Sequence, residues 1–252
     1  MRNCLFILEG PKDEPKLFNS MFLEMKKDDQ HCYFFRCNLH VLANLLMPNE
    51  EDDLEGIDLL MALKGRKNSA EDAEALGRRY TDIYMVFDFE PQEGNPVFNK
   101  IRKMIAYFND STGNGKLYIN YPMMQSYRHL TTLPDPCFEF RKATVDLSRI
   151  YKQVAAEEGK AIPDNLKTYN HVLLYSMAVH HLQKREKVLG RAYALPIDYN
   201  EAEDIEVFDC QTRMLAEENS CYVLNTSILL FVAYAPNRFL REIKTHPNSF
   251  YI

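Results

Sequence analysis

The chain has 252 residues, 46% apolar and 26% charged, a globular composition that argues against disorder and a length that suits one substantial core with an appendage. No apolar run approaches the roughly 18 residues of a membrane-spanning helix, and Glu9 breaks the first apolar stretch too early for a signal peptide. The net charge of −6 is uneven: 50–58 and 198–209 hold a third of the acidic residues, so the rest of the molecule is net basic and a polyanionic partner is not excluded.

In chain order, Cys4–Leu8 is an uninterrupted apolar run, the pattern of a strand buried on both faces of a parallel sheet. Glu9-Gly10-Pro11 ends it. A helix is expected over Asp13–Lys27, with Leu17, Met21 and Met25 along one face. A second strand, His31–Arg36, precedes a helix at Leu39–Met47, an acidic loop and a short helix at Leu54–Leu63. Ser69 is a fair N-cap for a helix reaching Arg79. Ile83–Phe87 is the next apolar strand, followed by a helix over Pro96–Phe108, a turn at Asp110–Gly115 and a strand at Leu117–Tyr121.

Strand and helix thus alternate through the first half, which predicts an α/β fold with a mostly parallel sheet covered on both faces. The second half reads as helical: Lys142–Glu158, Asp164–Lys187 and Glu201–Asn219, then a final apolar segment at Tyr222–Tyr234. The expected organisation is an α/β domain over 1–135 and a mainly helical extension over 136–252. Six sparse cysteines predict reduced thiols in a cytoplasm rather than a disulfide framework.

Two apolar strands run directly into carboxylates: Phe-Ile-Leu-Glu9-Gly10, with Asp13 and Glu14 close behind, and Val-Phe-Asp88-Phe-Glu90. Functional groups in open α/β sheets gather beyond the carboxyl ends of strands. If the two strands are neighbours, Glu9, Asp88 and Glu90 converge. In Asp88-x-Glu90 both side chains share one face while the chain stays extended. Crowded carboxylates repel, and a hard divalent cation such as Mg²⁺ or Mn²⁺ is the natural remedy. The bland alternative is that strand ends are polar because loops are solvated.

Apolar strand–Glu-Gly-x-x-Asp, followed later by apolar strand–Asp-x-Asp/Glu, resembles the Toprim domain of topoisomerases, primases and OLD-family nucleases. Ile7–Glu14 and Val86–Glu90 most resemble the small OLD-like and RloB-like Toprim proteins of bacterial anti-phage defence. The likeness covers roughly residues 4–130. It implies a metal-dependent nuclease acting on DNA or RNA with a separate ABC-type ATPase as partner. Glu9, Asp88 and Glu90 would be the catalytic and metal-holding residues, with Asp13 or Glu14 as an additional ligand. Two departures stand out: Glu90 replaces the second Asp, and Gln125 stands where related sequences tend to carry Glu.

Bound cations would activate a water and stabilise charge on the phosphodiester, and flanking cations would hold the substrate. Lys116, ahead of the third apolar strand, and Arg128, shortly after it, are the candidates. Lys100, Arg102 and Lys103 read as a solvated helix face. His31, Cys32, Cys37 and His40 superficially suggest zinc, but a strand running into a helix would scatter them. His171, His180 and His181 read as core or surface histidines. There is no phosphate-binding glycine loop and no serine nucleophile motif, so the ATPase must lie elsewhere. The alternative function is a catalytically silent Toprim-like subunit. The helical second half is then where a partner, or a second copy of the chain, would dock.

Overall fold

The computed structural model describes residues 3–12, 14–21, 30–66, 68–193 and 203–245. It contains a mixed α/β fold. In the first half the described strands are β1 (Cys4–Leu8), β2 (Gln30–Phe34), β3 (Asp82–Asp88), β4 (Asn109–Asp110) and β5 (Gly115–Tyr121), in the sheet order β2-β1-β3-β5-β4. β1 pairs in parallel with β2 on one side and β3 on the other, with Leu8 opposite Phe34 and Val86. Every residue of β1 is buried, which is why its sequence is a continuous apolar run rather than an alternating one.

The helices between these strands are α1 (Glu14–Met21), α2 (Leu39–Leu46), α3 (Leu59–Lys64), α4 (Ala70–Gly77) and α5 (Phe98–Tyr107). The starts of α2, α3 and α4 have a local cause. Asn38 accepts a bond from the Val41 N–H to open α2, and Asp58 does the same for Met61 at α3. Ser69 and Asp72 form a reciprocal capping box at α4. The expected first helix is seen over Glu14–Met21, and its remainder falls in 22–29, outside the described residues. The expected helix at Leu54–Leu63 begins only at Leu59, because the Asp58 cap sets the start.

Contacts divide the chain into two compact units, Met1–Asp88 with Glu93–Tyr118, and Phe89–Gln92 with Ile119–Ile252. The second unit adds β6 (Lys142–Thr144), α6 (Val145–Arg149), α7 (Tyr151–Glu158), α8 (His171–Val188), α9 (Asp204–Glu218), β7 (Ser220–Tyr222), β8 (Leu224–Asn225), α10 (Ser227–Tyr234) and α11 (Pro236–Thr245). The single helix expected over Lys142–Glu158 is corrected here. Its first three residues pair antiparallel with β7, and Thr144 then caps α6 by accepting from the Leu147 N–H. The apolar segment at Tyr222–Tyr234 likewise divides into strand residues and α10. α11 was not expected. α8 is the central element: Leu174 to Leu182 are all buried, with Tyr175 stacked on Phe231 of α10 at 5.0 Å.

Candidate functional site

The strand order places a topological switch point between β1 and β3. The connection leaving β1 goes to β2 on one side, and the next returns to β3 on the other. In doubly wound sheets the crevice beyond the carboxyl ends at such a point is where ligands bind. The residues at that edge are Glu9, directly after β1, and Asp88, the last residue of β3.

Glu9 is held by both neighbours. Its carbonyl accepts the Arg36 N–H at 2.9 Å, and its carboxylate Oε2 accepts the Asp88 N–H at 3.3 Å. The Glu9 side chain therefore reaches from the end of β1 to the end of β3. β1 and β3 are neighbours, as the convergence expected from sequence requires, and what meets there is the Glu9 carboxylate and the Asp88 backbone N–H.

The remaining expected ligands stand differently. Glu90 has φ 48°, a left-handed conformation, and its N–H donates to the Pro122 carbonyl at 3.1 Å. The extended backbone that would bring Asp88 and Glu90 to one face ends before Glu90. That residue belongs to the Phe89–Gln92 segment of the second unit. Asp13 lies outside the described residues; Glu14 opens α1, and its side chain is not among those described. Gln125 lies in a short 3₁₀ turn, Met124–Arg128.

Among the described residues no group of three or more His, Cys, Asp or Glu side chains is arranged to hold a metal ion. What the edge offers is a pair of acidic residues. Mg²⁺, which keeps several waters and binds through one or two carboxylates plus substrate phosphates rather than a full protein cage, is the ion such a pair would have to hold.

The expected substrate-binding cations are otherwise engaged. Lys116 is 1% exposed at the second position of β5, its ammonium 5.7 Å from the Tyr118 ring centre. It is a buried side chain near the amino end of that strand, not a solvent-facing cation. Arg128, in the second unit, donates to Asp164 at 2.5 Å and is mostly buried. Of the solvated face expected on α5, Arg102 and Lys103 are exposed and Lys100 is not. Lys100 is 4% exposed; it donates to Asn44 Oδ1 at 2.9 Å and pairs with Glu50 at 3.5 Å. Lys103 donates to the Glu50 and Asp52 carbonyls. Together they tie down the acidic loop that follows α2. His40 and Cys37 also have other uses, accepting from the Val97 N–H and from Arg66.

Sequence reasoning passed over Arg36. It follows β2 on the same edge and has φ 60°, a conformation that costs a non-glycine residue about 1–2 kcal/mol. Its guanidinium Nη1 donates to the Phe34 carbonyl at 2.8 Å and to Asp72 Oδ2 at 2.6 Å. Burial alone would raise the Asp72 carboxyl, but Arg36 and Ser69 hold it below the ordinary carboxylate range. Arg66 lies over the Phe35 ring at 4.0 Å and donates to the Phe35 carbonyl at 3.3 Å. The signal that could have found Arg36 is the one that found the acids: a charged residue ending an apolar strand.

Comparison with protein-family models, with curated proteins and with solved structures finds no match to this chain.

Proposed function

We propose that the chain is a Toprim-type, metal-dependent nuclease that cleaves phosphodiester bonds of DNA or RNA, an effector in anti-phage defence working with a separate ABC-type ATPase. The observation that carries this reading is the Glu9 carboxylate accepting from the Asp88 N–H at a β1/β3 switch point. Glu9 and Asp88 would hold Mg²⁺ or Mn²⁺ with the help of a substrate phosphate, and Glu90, Asp13 and Glu14 are the further acidic residues the sequence offers. When bound, such a cation supplies Lewis-acid polarisation of the phosphoryl group and an activated water. The residues themselves orient that cation, and the hydrogen bond from Asp88 fixes one Glu9 oxygen so that the other is presented in a set direction.

The test is cleavage of plasmid, single-stranded DNA and tRNA in Mg²⁺ or Mn²⁺. Glu9→Gln, and separately Asp88→Ala with Glu90→Ala, should lower the rate by more than the roughly 10–100-fold that losing an outer-shell partner of a metal site causes. Cleavage unchanged in both variants would remove the assignment.

A second reading, a silent Toprim-like subunit, has one observation in its favour: no three-ligand group is present among the described residues. Calorimetric titration with Mn²⁺ separates the two, since a silent subunit releases no binding heat at millimolar metal.

A further inference from the structure

We propose that Arg36, beside Glu9 and backed by Arg66, is a binding subsite for a backbone phosphate of a nucleic-acid strand. The inference rests on the nuclease reading and adds to it the group that holds the substrate.

Position is the first argument. The β1–β2 ladder continues past both strands: the Phe35 N–H donates to the Leu8 carbonyl at 2.8 Å and the Arg36 N–H to the Glu9 carbonyl at 2.9 Å. Arg36 therefore stands alongside Glu9, on the edge where an open parallel sheet receives ligands.

Backbone conformation is the second. A tight turn with positive φ is made most easily by glycine or asparagine. Here it carries an arginine at φ 60°, so the strain is kept together with a long cationic side chain. Strained residues of this kind gather at binding sites.

The guanidinium geometry is the third. Both Nη1 bonds go to the Phe34 carbonyl and Asp72, which occupies the two protons of that nitrogen. Nε and Nη2 form no hydrogen bond among the described residues, and the side chain is 50% exposed. The Nε–Nη2 edge is the planar two-donor fork that matches two phosphate oxygens. Asp72, itself 3% exposed and locked in the α4 capping box, fixes the fork before any ligand arrives. Arg66, on the Phe35 ring, adds positive potential to the same turn.

The experiment is fluorescence anisotropy of the full chain with a labelled 20-nucleotide single-stranded DNA, its RNA equivalent and the DNA duplex, in EDTA, across a salt series. Arg36→Gln should weaken binding at least tenfold at low salt and reduce the slope of log affinity against log salt by about 0.7 for a single strand, one phosphate contact. Arg36→Lys keeps the charge but loses the fork. It should keep the slope and still bind several-fold more weakly, and it serves as the decisive variant if Arg36→Gln does not fold by circular dichroism. Arg78→Gln, a charge-matched change at an exposed arginine paired with Glu74, should leave binding unchanged.

Arg36 variants that bind like Arg78→Gln, in a chain that still cleaves in Mg²⁺ or Mn²⁺, overturn the subsite alone. Binding that depends on Arg36 in a chain without metal-dependent cleavage supports the subsite and overturns the nuclease reading. A chain that binds none of the three probes overturns both.

Discussion

His180, His181, Lys184 and Arg185 are consecutive turns of charge-bearing side chains on α8, and all are at most 3% exposed. Buried polar groups must find partners, and these do. His180 Nε2 accepts the Asp135 N–H at 2.9 Å and His181 Nδ1 accepts the Asn225 N–H at 3.0 Å. Lys184 donates to the carbonyls of Phe138 and Arg141, and Arg185 pairs with Glu186 and Glu203. Since both histidines accept backbone protons, their neutral form is the native one. Burial pushes His181 down to about 3 and lowers His180 and His129 as well. In each case the folded value lies below the unfolded one near 6.5, so the unfolded chain binds more protons in between. The stability these histidines contribute is complete above about pH 6.5 and is lost as the pH falls below it, for His181 down to about 3, at up to about 1.4 kcal/mol per pH unit for each histidine. Denaturant melts of the wild type against His181→Gln across this range check it: the variant's curve should be flatter. Lys184→Met leaves the Phe138 and Arg141 carbonyls without their donor and should cost about 1–3 kcal/mol at neutral pH.

Among the elements, β1 carries the sheet. Ile7 is wholly buried between two parallel neighbours, so Ile7→Ala should cost about 2–5 kcal/mol through lost transfer energy and a cavity. Ser69→Ala removes half of the α4 capping box and should cost about 1 kcal/mol in a chemical melt. It also loosens Asp72, to which the Ser69 hydroxyl donates at 2.9 Å, and so should weaken whatever Arg36 holds. The Lys142–Glu158 region shows what helical periodicity leaves out. Lys-Ala-Thr is acceptable in a helix, but β7 supplies a partner about 80 residues further on, and a long-range ladder overrides local preference.

For the molecule as a whole, the strand order β2-β1-β3-β5-β4 decides which strand ends become neighbours. A ligand that binds only the folded chain stabilises it by mass action, about 2.7 kcal/mol at a hundredfold excess over Kd. If the proposed metal site is right, Mn²⁺ should raise the melting temperature of the wild type, EDTA should reverse the rise, and a Glu9→Gln/Asp88→Asn chain should show none. No described helix is long and apolar enough to cross a membrane. The six cysteines are all free, Cys4 and Cys221 of them buried.

The α/β alternation was legible in the residues themselves. The runs Cys4–Leu8 and Ile83–Phe87 are continuously apolar, as in buried strands, Ser69 marks a helix start, and Glu9 and Asp88 stand at the carboxyl ends of their strands. These are local properties, set by side-chain chemistry over a few positions. Which strand lies beside which is not local, and only the tertiary structure decided it. Pairing β1 with β3 joins the Glu9 carboxylate to the Asp88 N–H across 79 positions. The same kind of long-range placement buried Lys116, engaged Arg128 with Asp164, turned Glu90 out of the extended conformation and set Arg36 beside Glu9. A charge shows in sequence, but its neighbours and its exposure depend on chain segments far away, and those determine whether it can bind anything.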